Sequence, residues 1–180
     1  FSWGCYSSVM GEIAIIEETG EVALSPDLAI LLCVPLFHVT GSHVGLLMSI
    51  LVGRKVVMMK KWDAGEALKL IQDETISDIT GVPTQSWELL NHPERSNYDL
   101  SSLKTLGAGG GPRPSEHVKL LDEGFEGRPS IGYGLSETNA LGTLCHGDEY
   151  KNHPSTAGRI APPVTDIRII DDNWNEVKEG

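Results

Sequence analysis

Cysteine pairs at metal-binding spacing are missing from this 180-residue chain: Cys5, Cys33 and Cys145 form no CxxC. An odd, scattered set excludes a disulfide framework and a zinc knuckle. Cys33 sits in an apolar run and reads as a small buried hydrophobe. The expected setting is reduced and cytoplasmic. None of the six histidines forms HExxH, so a zincin site is excluded. No apolar stretch approaches the roughly 20 residues that span a bilayer; the longest cover residues 28–36 and 44–52. A GxGxxG fingerprint fails because Pro112 stands where its last Gly belongs, and a Walker A sequence is absent.

Basic charge is also scarce. The first 53 residues carry no Lys or Arg and five acids, Glu12, Glu17, Glu18, Glu21 and Asp27. Residues 54–170 are nearly balanced, and the last ten hold four acids against Lys178. The net charge of −11 disfavours binding along a phosphodiester backbone, so nucleic acid is not an expected partner. A small phosphorylated ligand stays admissible, because one pocket can differ in sign from the whole molecule. The opening Phe1-Ser2-Trp3 has no basic region before an apolar core, so no signal peptide is expected. Both ends read as cut, and the chain is expected to be a piece of a longer protein.

What is present alternates. Val9, Ile13 and Ile16 predict a first helix, ended by Thr19-Gly20. Apolar runs predict buried strands at 29–34 and 55–59, and shorter strands at 77–80, 103–106 and 130–132. Between them helices are expected at 41–51, from the Asp63/Glu66 capping box, from Pro83 to about Leu90, and from Pro114 with Val118, Leu121 and Phe125 on one face. This is the pattern of an α/β fold: a mostly parallel sheet flanked by helices on both faces. After Tyr133 the runs 140–145 and 166–170 predict strands without an intervening helix, the start of a further antiparallel β region. The division expected is an α/β subdomain at 1–135, with its edge and the β-rich start at 136–180.

In parallel sheets, ligands bind at the carboxyl ends of strands. Three loops fall there: Pro35-Leu36-Phe37-His38-Val39-Thr40-Gly41, the glycine loop from Gly107 to Pro114, and Gly132-Tyr133-Gly134-Leu135-Ser136-Glu137-Thr138. The glycine loop reads either as a flexible turn or as backbone bared for close approach to a ring or phosphate. The hydroxyl of Ser136 suits a phosphate oxygen and the carboxylate of Glu137 suits Mg²⁺; the same pair also suits a plain helix N-terminus. His38 reads as a structural histidine or as a contact to a carboxylate. Residues 134–138 lie one residue from GxSxG, with Thr138 in place of the final Gly, so a serine hydrolase using Ser136 is a further alternative.

Taken together, these loops resemble the adenylate-forming superfamily, and within it the acyl-CoA synthetases. PLFHxxG matches residues 35–41 and GVPT matches Gly81-Val82-Pro83-Thr84. GGAP matches Gly109-Gly110-Gly111-Pro112, with Gly111 for Ala, and YGxTE matches residues 133–137, with Ser136 for Thr. Ala157-Gly158-Arg159 and residues 166–170 resemble the segment that follows.

The resemblance implies that a carboxylic acid, a fatty acid in the first instance, is activated by ATP as acyl-AMP and passed to coenzyme A. It implies that Gly109, Gly110, Gly111, Pro112, Tyr133 and Gly134 bind AMP, that Ser136 contacts the α-phosphate, and that Glu137 ligates Mg²⁺. His38, Gly132 and Gly134 are implied at the acid site, with His38 also gating access. A phosphate loop ending in Pro-Lys-Gly is expected before Phe1. A ribose-binding Asp and a small Lys-bearing C-terminal domain are expected after Gly180. The 180-residue piece alone is therefore expected to be inactive. The remaining alternative is a non-catalytic nucleotide-binding or interaction module that keeps the ligase fold. For a fatty-acid substrate, peripheral membrane contact is compatible with a cytoplasmic location.

Overall fold

The computed structural model describes residues 28–160 and 165–177; the helix expected around Val9 and Ile16, and Cys5, lie outside them. Among the described residues seven strands form one sheet: β1 (Ala29–Leu32), β2 (Lys55–Met58), β3 (Asp78–Gly81), β4 (Thr105–Gly109), β5 (Arg128–Tyr133), β6 (Thr143–His146) and β7 (Arg159–Ile160). Their order is β2-β1-β3-β4-β5-β6-β7. The first five are parallel, and β6 and β7 are antiparallel. The helices are α1 (Met48–Val52), α2 (Ala64–Asp73), α3 (Pro83–Leu90), α4 (Ser115–Gly124) and α5 (Gly147–Asn152).

Alternation along β1 separates the two faces of the sheet. Ala29, Leu31 and Cys33 join a core with Leu68 and Ile71 of α2, Leu89 of α3, and Leu121 of α4. The other face of β1 carries Leu32, whose methyl lies where a Cβ on Gly45 would fall. Helical segments thus cover both faces. Val118, Ile131, Cys145 and Tyr150 form a second cluster under α5. Trp87 of α3 stacks on His117 of α4, with centroids 3.8 Å apart. At the amino edge of the sheet, Arg54 pairs with Asp78 at 3.1 Å and donates from Nε to Ser49 Oγ at 3.0 Å. Burial pushes the Asp78 carboxyl above the ordinary carboxylate range, and Arg54 opposes that push.

Four expectations change. Residues 40–47 are not α-helical: they form a π-helix (Thr40–Leu47) that runs into α1, and Met48 N–H donates to the His43 carbonyl, five residues back. Gly41 weakens α-helix here, and the Ser42 and Ser49 hydroxyls donate to the carbonyls of His38 and Gly45. β2 is not a buried strand but an edge of this sheet, with Lys55 and Met58 exposed. The antiparallel region expected at the C-terminal end is present as β6 and β7, and it extends the same sheet, because β6 pairs with β5. Helix α5 separates β6 from β7. Residues 166–170 form no strand; Ile170 makes one antiparallel bridge to Glu176.

The Asp63 cap is as expected in one half: its side chain accepts from Glu66 N–H at 2.8 Å. Among the described residues no helix is long and apolar enough to cross a membrane.

Candidate functional site

Because β1, β3, β4 and β5 run parallel, the segments that follow them leave from one edge of the sheet. β4 and β5 are neighbours in register, with Gly109 opposite Gly132. The glycine loop and the 133–137 loop therefore emerge side by side. The strand order reverses between β1 and β3, the point at which open parallel sheets commonly bind ligands. His38 follows β1 and Val82 follows β3, so these two flank it.

The glycine loop is open on its outer side. Gly110 has φ +75°, a left-handed conformation that favours glycine, and a Cβ on Gly110 or Gly111 would meet nothing within 4 Å. Gly107 is the opposite case, since a Cβ there would sit 2.9 Å from Thr80 Oγ1. Glycine at 107 is needed for packing inside the sheet, and at 110 for the turn. Gly109 and Gly111 are half-buried, and Gly110 and Pro112 are exposed.

Ser136 and Glu137 open a single 3₁₀ turn (Ser136–Thr138) and both are exposed. Thr138 Oγ1 closes the turn, accepting from Leu135 N–H at 3.0 Å. Tyr133 ends β5 with 52% of its surface exposed, next to the glycine loop. Gly134 is tied by a backbone contact: a Cβ on it would be driven into the Ala140 carbonyl. Gly132 has ordinary contacts, with Thr143 O 3.6 Å from the Cβ position.

His38 is brought near the others only in the sense of sharing their edge. From β1 to β5 is three strand spacings, roughly 14 Å. Its N–H donates to Pro35 O at 3.0 Å, closing a turn, and its exposed ring lies 4.8 Å from the Phe37 ring. Phe37 is 84% exposed. A Cβ on Gly41 would lie 2.5 Å from Pro35 O, so glycine is what allows this loop to fold back.

Three residues at this edge were not singled out by the sequence. Gln85 is buried; its amide donates to Cys33 O at 3.3 Å and its Oε1 accepts from Val82 N–H at 2.9 Å. It joins the segment after β3 to the end of β1. Arg113 and Tyr150 are buried, with the Arg113 guanidinium on the carbonyls of Leu106 in β4 and Ser130 in β5. The one available signal was an arginine held between Pro112 and Pro114 directly after four loop residues. Beside Gln85, burial pushes the Cys33 thiol up to about 11, which keeps it protonated.

The family model described as AMP-binding enzyme matches residues 6–180. The chain is 34% identical over 144 residues to a long-chain-fatty-acid–CoA ligase of Bacillus subtilis (strain 168), covering 80% of this chain and 25% of that protein. It is 30% identical over 161 residues to a feruloyl-CoA synthase of an Amycolatopsis species, covering 89% of this chain and 32% of that protein. The chain thus spans about a third or less of the relatives it matches. Its fold is similar to the N-terminal domain of FACL13 from Mycobacterium tuberculosis, with a TM-score of 0.80 at 23% identity, covering 91% of this chain and 41% of that one.

Proposed function

This chain belongs to the AMP-binding enzyme family, and from that premise we propose that the full-length protein is an AMP-forming acyl-CoA synthetase. The acid's carboxylate oxygen attacks the α-phosphorus of ATP, the bond to pyrophosphate breaks, and acyl-AMP forms. The coenzyme A thiolate then attacks the acyl carbonyl and AMP departs. The substrate we favour is a fatty acid.

The observation that carries this reading is the adjacency of the two loops at the ends of β4 and β5. In this reading Gly109, Gly110, Gly111 and Pro112 offer bare backbone to the adenine, and Tyr133, exposed at the end of the neighbouring strand, supplies a ring. Gly134 belongs to the same nucleotide side, where its missing Cβ keeps the loop closed. Ser136 donates a hydrogen bond from its hydroxyl to an α-phosphate oxygen. His38 and Gly132 belong to the acid side, with His38 at the β1/β3 reversal point as a gate.

Mg²⁺ fits Glu137 as a single exposed carboxylate. The described residues contain no group of three or more His, Cys, Asp or Glu able to cage a metal. Mg²⁺ takes oxygen ligands and commonly uses one or two carboxylates plus phosphate oxygens and water. When bound, the ion offsets charge that develops on phosphate oxygens. The protein's share is positioning and electrostatic stabilisation.

A cytoplasmic location with peripheral membrane contact, and a division into an α/β part at 1–135 and an edge with a β-rich start at 136–180, are parts of the same proposal. So is inactivity of the isolated 180-residue chain, whose relatives are about three or more times longer. Acyl-CoA formation by that chain alone overturns this last point.

The test incubates the full-length protein with ATP, coenzyme A and a panel of carboxylic acids, and measures nucleotide and acyl-CoA products by mass. AMP and acyl-CoA in equal amounts are expected. ADP as product, or nucleotide binding without acid-dependent turnover, overturns the reading; the second result assigns a non-catalytic module.

A further inference from the structure

Arg113 stands near the end of the glycine loop, directly after Pro112, and is 5% exposed. A buried cation is normally paired with a carboxylate. Among the described residues Arg113 has no such partner. Its Nη1 donates to Ser130 O at 3.2 Å, and its Nη2 donates to Ser86 Oγ at 3.2 Å and Leu106 O at 3.4 Å. The guanidinium carbon lies 5.9 Å from the centroid of the Tyr150 ring. Arg113 Nε and the Tyr150 hydroxyl are both buried without a well-aligned hydrogen-bond partner, and the two groups are close enough to act on each other electrostatically.

These contacts reach four elements. Leu106 is in β4, Ser130 in β5, Ser86 in α3 and Tyr150 in α5. β4 and β5 carry the two loops of the candidate site. α5 lies just downstream of Ser136 and Glu137, after β6. The crest of the glycine loop has no side chain to pack, and a Cβ on Gly110 or Gly111 would meet open space. Its position is therefore set by its two ends: the β4 ladder before it and Arg113 after it.

We propose that Arg113 is the positioning residue for the nucleotide loop, fixing Gly109, Gly110, Gly111 and Pro112 against the Ser136–Glu137 side through the carbonyls of β4 and β5. It touches no substrate. An isolated ammonium is a compact point charge and cannot span both strand carbonyls and the α3 hydroxyl as a planar fork does. A loop displaced by about 1 Å loses binding geometry rather than fold.

The proposal rests on the acyl-CoA synthetase reading, and the test separates the two. In the full-length protein, Arg113→Lys and Arg113→Gln are compared with Leu68→Ala, a core change in α2 away from the loop edge. KM for ATP, KM for the acid, kcat and Tm are measured for each, together with AMP affinity by calorimetry. Both Arg113 variants are expected to raise KM for ATP and Kd for AMP about tenfold while KM for the acid stays within twofold. Leu68→Ala is expected to lower Tm at least as much and leave KM for ATP unchanged. Unchanged KM and Kd in Arg113→Lys, the milder variant, overturn the proposal, as does an equal KM rise in Leu68→Ala. A wild-type protein without acid-dependent turnover overturns the synthetase reading instead, and the AMP affinities still decide whether Arg113 positions the loop.

Discussion

Gly134 and Ala140 meet backbone to backbone, so closely that a Cβ on Gly134 has no place beside the Ala140 carbonyl. Ala140 and Asn139 both hold left-handed backbone, with φ 80° and 53°, and Ala140 N–H donates to Leu135 O at 3.0 Å. The segment that carries Ser136 and Glu137 is thus coiled onto itself. Gly134→Ala is expected to destabilise the protein by about 2 kcal/mol, the range of overpacking, and to weaken AMP binding. Gly111→Ala fills open space and is expected to change stability by less than about 0.5 kcal/mol. Thermal denaturation and calorimetric titration with AMP check both.

Glu137 is exposed at the start of a single turn and its side chain holds no element of the fold. Glu137→Gln is nearly isosteric. We expect adenylation to slow by roughly 10²-fold, the size of losing one transition-state stabiliser, with Tm unchanged. Single-turnover formation of acyl-AMP measures it, and a wild-type rate would return Glu137 to the role of a turn residue.

The Arg54–Asp78 pair lies at the opposite edge from the candidate site, joining the start of β3 to the residue before β2. Asp78→Ala strands a guanidinium whose side chain is 5% exposed, and is expected to cost about 3 kcal/mol. Asp78→Asn keeps an acceptor for Arg54 and is expected to cost less. Urea denaturation of the two variants gives the comparison, and equal losses would show that the acceptor does not matter.

Burial raises both described thiols, Cys33 and Cys145, from 9.0 to about 11. Each folded thiol keeps its proton where the unfolded one has lost it. The stability this provides is complete below pH 9 and is lost as pH rises through 11. Native protein at pH 8 is expected to resist alkylation at both positions, and unfolded protein to react at both. Peptide mapping after iodoacetamide treatment reads each site separately.

The parallel strands were readable because a buried strand is an uninterrupted apolar run, as in Ala29–Leu32. The edge position of β2 was not, since Lys55-Val56-Val57-Met58 has similar hydrophobicity wherever it sits in the order. Helix α5 escaped because, of its six residues, only Tyr150 is buried, too few for a period. The π-helix escaped because, over eight residues, apolar spacing does not separate it from an α-helix. The loops of the candidate site were readable through glycine, proline and aromatic spacing. Arg113 was not, because its one sequence signal, a place between Pro112 and Pro114, does not say that the charge will be buried.

ATP–pyrophosphate exchange by the full-length protein, run without coenzyme A, isolates the first half-reaction. The account predicts label passing from pyrophosphate into ATP only when a carboxylic acid is present, and an exchange rate that falls about 10²-fold in Glu137→Gln. Exchange that is absent with every acid tried, or that proceeds equally without any acid, would contradict it.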